Sequence, residues 1–334
     1  MNHKKKNICM VATNYALLLY LLSMDDEDIK RTFFILTSAI PQDTGRNIIN
    51  QYRIPKVKIK NNYLQVLLYK YLFSKLKLHD YSSIFAQDHN IPMMSFLHNK
   101  KYTLIEDSAN VCSNFYNSEL GKNYMDQSSG TIKSHIFKLL LGDLYFGVFG
   151  RNSHAKGILL TKDDEIQYLK TKMKHFVPEI SHNLWLSFSE WKKQFIIKTF
   201  NVDILKISKI PTDCILLLTQ PLTEFISKEE QISIYKKIIN NYNNTKIVIK
   251  SHPRDIYVEY EKLFPNSIVI RETFPSEFFK LMGINIGRVV TAFSTAVNPY
   301  IGKVPVDWYG CKVSPQIVKM IGEWSAPDGV NIIK

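Results

Sequence analysis

The stretch that decides the fold is Lys246-Ile-Val-Ile-Lys-Ser-His-Pro-Arg-Asp255. Residues 246–250 form a short run centred on β-branched apolar side chains, which suits a buried strand. Ser251, His252 and Pro253 leave that strand for a loop, and residues 257–263 read as a helix. In an open parallel sheet, a strand–loop–helix step puts its polar side chains at the carboxyl edge, where such folds bind ligands. Pro253 biases His252 toward extended backbone, so the imidazole projects from the strand end. Arg254 adds a fixed cation beside the one ring that titrates near neutrality.

The same rhythm extends outward in both directions. Strands are expected at 214–218, 267–271 and 288–293, and helices at 275–282 and 296–301. A further helix over 227–239 is capped by Ser227, with Glu229 and Glu230 in its first turn. Toward the N-terminus, strands are expected at 7–12, 32–36, 81–87, 102–105 and 157–160. Thr13 or Asn14 caps a helix running to Leu22, and helical spans follow near 93–99, 132–141 and 185–200. A basic amphipathic stretch covers 63–78 with Lys70, Lys75 and Lys77, and reads as a surface helix or a contact with acidic lipid. Strand–helix alternation of this kind predicts an α/β protein with parallel, doubly wound sheets. A change of pattern at 207–212, around Pro211, sets the expected boundary between domains 1–208 and 209–334.

With 334 residues the chain is long enough for two cores, and 45% hydrophobic with 22% charged residues is ordinary for a globular protein. Lys and Arg exceed Asp and Glu by 43 to 30, a formal charge of +13 that suits anionic partners. The charge is dispersed apart from Lys4-Lys5-Lys6, and no nucleic-acid-binding motif accompanies it, so nucleic acid is not expected as a partner. Cys9, Cys112, Cys214 and Cys311 lack any metal-ligand spacing and read as free buried thiols in a reducing compartment. The apolar run 15–22 meets Asp25-Asp26-Glu27-Asp28 without a cleavage site, so it reads as a core helix. No run approaches the roughly 18–20 apolar residues that span a bilayer. A cytoplasmic location is therefore expected.

Three strand ends carry candidate chemistry. After 102–105 come Glu106 and Asp107, then Ser108. Asp107 or Ser108 could cap a helix there. Alternatively one carboxylate is a general base, its pKa raised by the neighbouring acid. At Ser251-His252-Pro253-Arg254, a protonated or hydrogen-bonding imidazole could stabilise a phosphate leaving group. At Ser294 and Thr295, two hydroxyls open a helix whose first N–H groups could seat a phosphate. Thr219-Gln220-Pro221 adds a polar loop to the same edge. The acidic runs 25–28 and 163–165 read as surface turns and not as metal sites.

Together these pieces resemble bacterial sialyltransferases, and most of all family 52 of the glycosyltransferases, which sialylates lipooligosaccharide and related surface glycans. The resemblance is carried by Leu217-Leu-Thr-Gln-Pro-Leu222, Ile247-Val-Ile-Lys-Ser-His-Pro-Arg-Asp255 and the Ser294-Thr295 pair. Glu106-Asp107-Ser108 is similar to the acidic pair-plus-glycine motif of bacterial sialyl- and polysialyltransferases, with Ser108 in place of the glycine. It implies a GT-B architecture, two Rossmann-like domains facing a central cleft, and inverting transfer from CMP-sialic acid to a galactose-type hydroxyl. On that reading Asp107 is the base and His252 assists departure of CMP. Glu106, Thr219, Gln220, Pro221, Ser251, Pro253, Arg254, Ser294 and Thr295 bind substrate, while Glu106, Glu224 and Glu230 are alternative bases. A monophosphate leaving group carries less charge than a diphosphate, so neither metal nor other cofactor is expected. The expected acceptor is a galactose-terminated oligosaccharide or lipooligosaccharide, with peripheral contact at the inner membrane, and a homodimer is compatible with the family. Two other readings are a hexosyltransferase of the same fold using another nucleotide sugar, and a non-catalytic glycan- or membrane-binding protein.

Overall fold

The computed structural model describes residues 6–78, 80–108, 110–127, 131–242 and 246–333. Lys4 and Lys5 of the terminal basic run lie outside them. The chain divides into two compact units, Met1–Glu179 with Ser189–Thr199, and Ile180–Phe188 with Phe200–Lys334.

The first unit holds β1 (Lys6–Val11), β2 (Thr32–Leu36), β3 (Gln51–Arg53), β4 (Tyr81–Ala86), β5 (Tyr102–Ile105), β6 (Ala155–Leu160) and β7 (Met173–Phe176). They form one sheet in the order β3-β2-β1-β4-β5-β6-β7, and every pairing is parallel. The second unit holds β8 (Cys214–Leu218), β9 (Ile247–Lys250), β10 (Ile268–Ile270), β11 (Ile286–Thr291), β12 (Val306–Trp308) and β13 (Asn331–Ile332). Their order is β10-β9-β8-β11-β12-β13, again all parallel. Each sheet therefore reverses its winding beside its first strand, between β1 and β4 and between β8 and β11. At such a switch point the loops diverge and open a crevice at the carboxyl edge.

Local sequence accounts for most of these elements. β8 and β9 are buried along their whole length, as continuous Ile, Leu and Val runs demand of a strand covered on both faces. The helix Asn14–Ser23 is capped by Thr13 Oγ1, which accepts the N–H of Ala16 at 3.2 Å, and Ala16 through Leu22 are all buried. This is the core helix expected from the apolar run. All four cysteines are free and buried. The strands missed by pattern reading are β3, β7, β12 and β13. Of these, β7 and β13 are mostly exposed, and an edge strand with little burial carries no apolar signature.

The span 185–200 is not one helix. It breaks into His182–Ser187, capped by Ser181, and Glu190–Thr199, and the two pieces belong to different units. His182 Nδ1 lies 2.9 Å from the carbonyl of Leu281, and Trp185 packs on Phe278. The second piece returns to the first unit, where Lys192 Nζ donates to the carbonyl of Met24 at 2.6 Å and so caps the Asn14–Ser23 helix. Gly45 N–H donates to the carbonyl of Thr199 at 2.6 Å. In place of the one crossing expected at 207–212, the chain crosses at 179/180, 188/189 and 199/200. Tertiary hydrogen bonds and ring packing, invisible to local pattern, decide which unit each piece joins.

Asp88, just beyond β4, is fully buried and organises the loop before β6. Its carboxylate accepts from Phe149 N (2.7 Å), Gly150 N (2.9 Å), Asn152 Nδ2 (3.1 Å) and Tyr102 Oη (2.5 Å). Phe149 sits at φ 53°, a costly conformation for a bulky side chain. The bonds from Asp88 hold it there. Asp88→Ala would strand these donors in the interior and should destabilise the first unit by about 3–5 kcal/mol, measured by urea unfolding.

Candidate active site

In the second unit the polar residues converge at the carboxyl ends of β8, β9 and β11. Asp255 is the hub. It is 1% exposed, and its Oδ2 accepts from Thr219 Oγ1 (3.0 Å) and Tyr260 Oη (2.6 Å) while Oδ1 accepts from Gln231 Nε2 (2.9 Å). Because the Thr219 hydroxyl spends its proton on Asp255, its oxygen is free to accept the N–H of His252, at 3.0 Å. The N–H of Asp255 closes the turn on the carbonyl of His252 at 2.9 Å. The helix expected over 257–263 shortens to Tyr260–Leu263, so this network, rather than a helix, shapes the loop.

The His252 ring follows from that backbone. Arg254 N–H donates to His252 Nδ1 at 3.1 Å, so in the neutral ring the proton resides on Nε2. Burial, then the cations of Arg254 and Lys250, lower its pKa to about 4. At neutral pH His252 is therefore a hydrogen-bond donor through Nε2–H and not an imidazolium. Arg254 itself turns outward, with its side chain 65% exposed and paired with Glu224 at 2.9 Å. Lys250, the last residue of β9, is buried over the Phe274 ring and donates to the carbonyl of Glu272 at 2.5 Å. Burial lowers its pKa to about 8.

The other expected residues fall on the same edge with different exposure. Ser251 is buried, and its N–H donates to the carbonyl of Ile270 at 3.0 Å. Gln220 Nε2 donates to the carbonyl of Phe293 at 3.3 Å, tying the β8 loop to the β11 loop, while its buried Oε1 has no hydrogen-bond partner. Pro221 is buried, and Pro253 is exposed. Ser294 is buried and its Oγ accepts the N–H of Ala296 at 3.3 Å, whereas Thr295 is exposed. The helix expected after them is a 3-10 turn, Thr295–Tyr300, interrupted by Pro299. Its dipole is accordingly weaker than that of the α-helix the sequence suggested. Glu230 Oε1 accepts from Ser314 Oγ at 2.6 Å, which occupies it structurally.

In the first unit, Glu106 and Asp107 leave β5 at the corresponding edge. Glu106 is fully buried, and its Oε1 accepts from the N–H (2.9 Å) and hydroxyl of Thr161 and from Tyr15 Oη (3.1 Å). Its Oε2 is buried without a hydrogen-bond partner. Burial raises its pKa to about 7. Desolvation is the leading cause, so repulsion from Asp107, the reason expected from the sequence, does not drive the shift. Asp107 is half-buried and its Oδ1 accepts from Gln87 Nε2 at 2.6 Å. Gln87 Oε1 in turn accepts the N–H of Ala12 at 2.6 Å, so the ends of β1, β4 and β5 are joined at the switch point. Neither Asp107 nor Ser108 caps the next helix, Val111–Asn117, whose preceding residue is Asn110.

The acidic runs have structural duties. Asp25 caps the helix Asp26–Lys30 by accepting the N–H of Asp28 at 2.7 Å. Asp164 is buried, not on a surface turn, and accepts the N–H of Ser113 at 3.1 Å.

This arrangement can be set beside known proteins. A sequence model described as glycosyltransferase family 52 matches residues 42–316. The chain belongs to glycosyltransferase family 52. An uncharacterized protein of Haemophilus influenzae is similar in sequence, 29% identical over 327 residues that cover 95% of this chain and 98% of that one. The alpha/beta-galactoside alpha-2,3-sialyltransferase of Photobacterium phosphoreum is similar in structure, with a TM-score of 0.59 at 13% identity over 98% of this chain and 99% of that one. The GT-B domain of a Photobacterium damselae sialyltransferase is similar with a TM-score of 0.58 at 12% identity, covering 90% of each chain. At such identities the likeness is one of fold, and this glycosyltransferase has the GT-B fold.

Two measurements check the site electrostatics. His252 should remain neutral and Nε2-protonated at pH 6 by nitrogen-15 NMR, titrating near pH 4. Glu106 has a folded pKa above its unfolded value, so its contribution to stability is present below pH 4.5 and is lost as pH rises through about 7. Glu106→Gln should therefore raise the unfolding free energy measured in urea at pH 8, by on the order of 3 kcal/mol, and leave it nearly unchanged at pH 4.

Proposed function

We propose that this glycosyltransferase is an inverting sialyltransferase, moving sialic acid from CMP-sialic acid to a galactose-type hydroxyl of a bacterial surface glycan. The observation that carries the reading is the neutral His252 ring, with its Nε2–H free to donate, held at the carboxyl edge among Thr219, Gln220, Ser251 and Ser294. A fixed donor there suits a phosphate oxygen that gains charge as its bond to sugar breaks. The unpartnered Gln220 Oε1 supplies an acceptor for a donor group on the nucleotide. Two Photobacterium proteins of the same fold are named sialyltransferases, which supports sialic acid as the transferred sugar.

In the proposed reaction the acceptor oxygen attacks carbon 2 of sialic acid from the face opposite the nucleotide. The bond from that carbon to the phosphate oxygen breaks, its electron pair passes to CMP, and single displacement inverts the centre. The acceptor proton passes to Asp107. Asp107 is preferred to Glu106 because it is half-buried and reachable, while Glu106 is sealed from solvent. Glu224, paired with Arg254, and Glu230, which accepts from Ser314 on one oxygen, are the alternative bases. The leaving group is a monophosphate, so His252 and the Ser294 and Thr295 hydroxyls would meet its charge without metal. The reaction would take place on the cytoplasmic side of the inner membrane, where a nucleotide sugar meets a lipid-borne acceptor.

The deciding experiment is a donor screen by mass spectrometry. CMP-sialic acid should give transfer to a galactose-terminated acceptor that survives EDTA, and transfer from a UDP-hexose instead would overturn the reading. His252→Ala and Asp107→Asn should each lower kcat by about a hundredfold or more with the melting temperature preserved.

A further inference from the structure

The second unit carries a cleft lined by none of the residues expected to form the site. It measures about 530 Å3 and is walled by Pro315, Gln316, Lys319 and Met320, one side of the helix Pro315–Ile321. Three contacts bring this segment to the carboxyl edge where His252 stands. Ser314 caps the helix, its Oγ accepting the N–H of Gln316 at 3.2 Å, and the same hydroxyl donates to Glu230. Gln316 Nε2 donates at 2.8 Å to the carbonyl of Phe225, in the loop after β8. Gly322 then ends the helix at φ 76°, a conformation open to glycine, and turns the chain back. Two residues on, the Trp324 ring stands edge-on to Phe293 with centroids 5.7 Å apart. Phe293 directly precedes Ser294, and its carbonyl is the one that accepts from Gln220.

The exposed side chains identify the occupant. Trp185 and Trp308 are buried and Trp191 lies under the Lys30 ammonium at 4.8 Å, whereas Trp324 is 48% exposed. Met320 beside it is 56% exposed, so a thioether and an indole leave apolar surface bare next to the cleft. The polar groups are few and their roles are set. Gln316 spends its Nε2 on Phe225, which leaves Oε1 as an acceptor, and the exposed Lys319 supplies a donor. An apolar face flanked by one acceptor and one donor matches a pyranose ring. Its C–H face stacks on an indole while its hydroxyls both give and take hydrogen bonds. The volume falls within the range of about 300–1,000 Å3 that holds small ligands, which suits a few sugar rings and not a folded partner.

We propose that the cleft along 315–320 and the Trp324 face form an acceptor subsite, binding the saccharide units behind the sugar that reacts. It rests on the reading of the acceptor as a galactose-terminated glycan and not on the choice of sugar donor.

The test is titration calorimetry on the full chain without donor, using a galactose-terminated tetrasaccharide, lactose and CMP in turn. The tetrasaccharide should bind about tenfold tighter than lactose, which is too short to fill the subsite. Trp324→Ala should remove that advantage and Trp324→Phe should keep most of it, with affinity for CMP unchanged in both. Should loss of the Phe293 contact unfold Trp324→Ala, Lys319→Ala with Met320→Ser decides. Both of its positions are exposed, so it should keep the melting temperature and weaken tetrasaccharide binding about threefold or more. Equal affinity for tetrasaccharide and lactose overturns the proposal. So does a loss of CMP affinity in Trp324→Ala, which would make the indole a platform for the nucleobase. So does a dimer seen by light scattering that the double variant dissolves, which would make the cleft a contact between copies. Tetrasaccharide binding as described with no binding of CMP would uphold the subsite and count against the sialic acid donor.

Discussion

A carboxylate kept out of water governs the second unit. Leaving Asp255 unpaired in the interior would cost several kcal/mol, so the fold surrounds it with the Thr219, Tyr260 and Gln231 donors. Once those bonds are in place little freedom remains downstream. Thr219 must accept from His252, the turn must close on Asp255, and the Arg254 N–H must fall on Nδ1. The orientation and tautomer of the imidazole are thus inherited from an acid that never touches it. Charge-assisted hydrogen bonds hold the loop where a helix would otherwise be needed.

The first unit solves the opposite problem. Its carboxyl edge keeps one acid sealed and another reachable, with Gln87 bonding the end of β1 to Asp107. Glu106 is given donors on one oxygen alone, which leaves its charge poorly compensated. The two sheets share a winding order and present contrasting groups, a half-buried carboxylate on one and a neutral imidazole on the other.

Much of this was legible in the sequence, for physical reasons. Strands covered on both faces must be continuously apolar, so β2, β5 and β8 could be bounded by reading alone. Glu106, Asp107 and His252 were found because a polar residue immediately after such a run has few places to go. The partners that set their behaviour were not. Thr219 and Asp255 are 36 positions apart, and Gln87 and Asp107 are 20 apart, so their pairing exists in the folded chain alone. Asp255 stood in the quoted stretch as the lead-in to a helix that proves to be a single turn. The pKa of Glu106 was expected to rise through its neighbour, but it rises through burial, a quantity no adjacent residue reveals. The break in the aromatic span 185–200 escaped notice because both pieces have helical composition.

That break has a consequence for synthesis. Residues 189–199 belong to the first unit, yet they leave the ribosome after nine residues, 180–188, that belong to the second. Until Lys192 emerges, the carbonyls at the end of the buried Asn14–Ser23 helix lack the ammonium that caps them. The N-terminal half is therefore an open account until translation has passed Thr199, and the order of folding along the nascent chain is interleaved between the two halves.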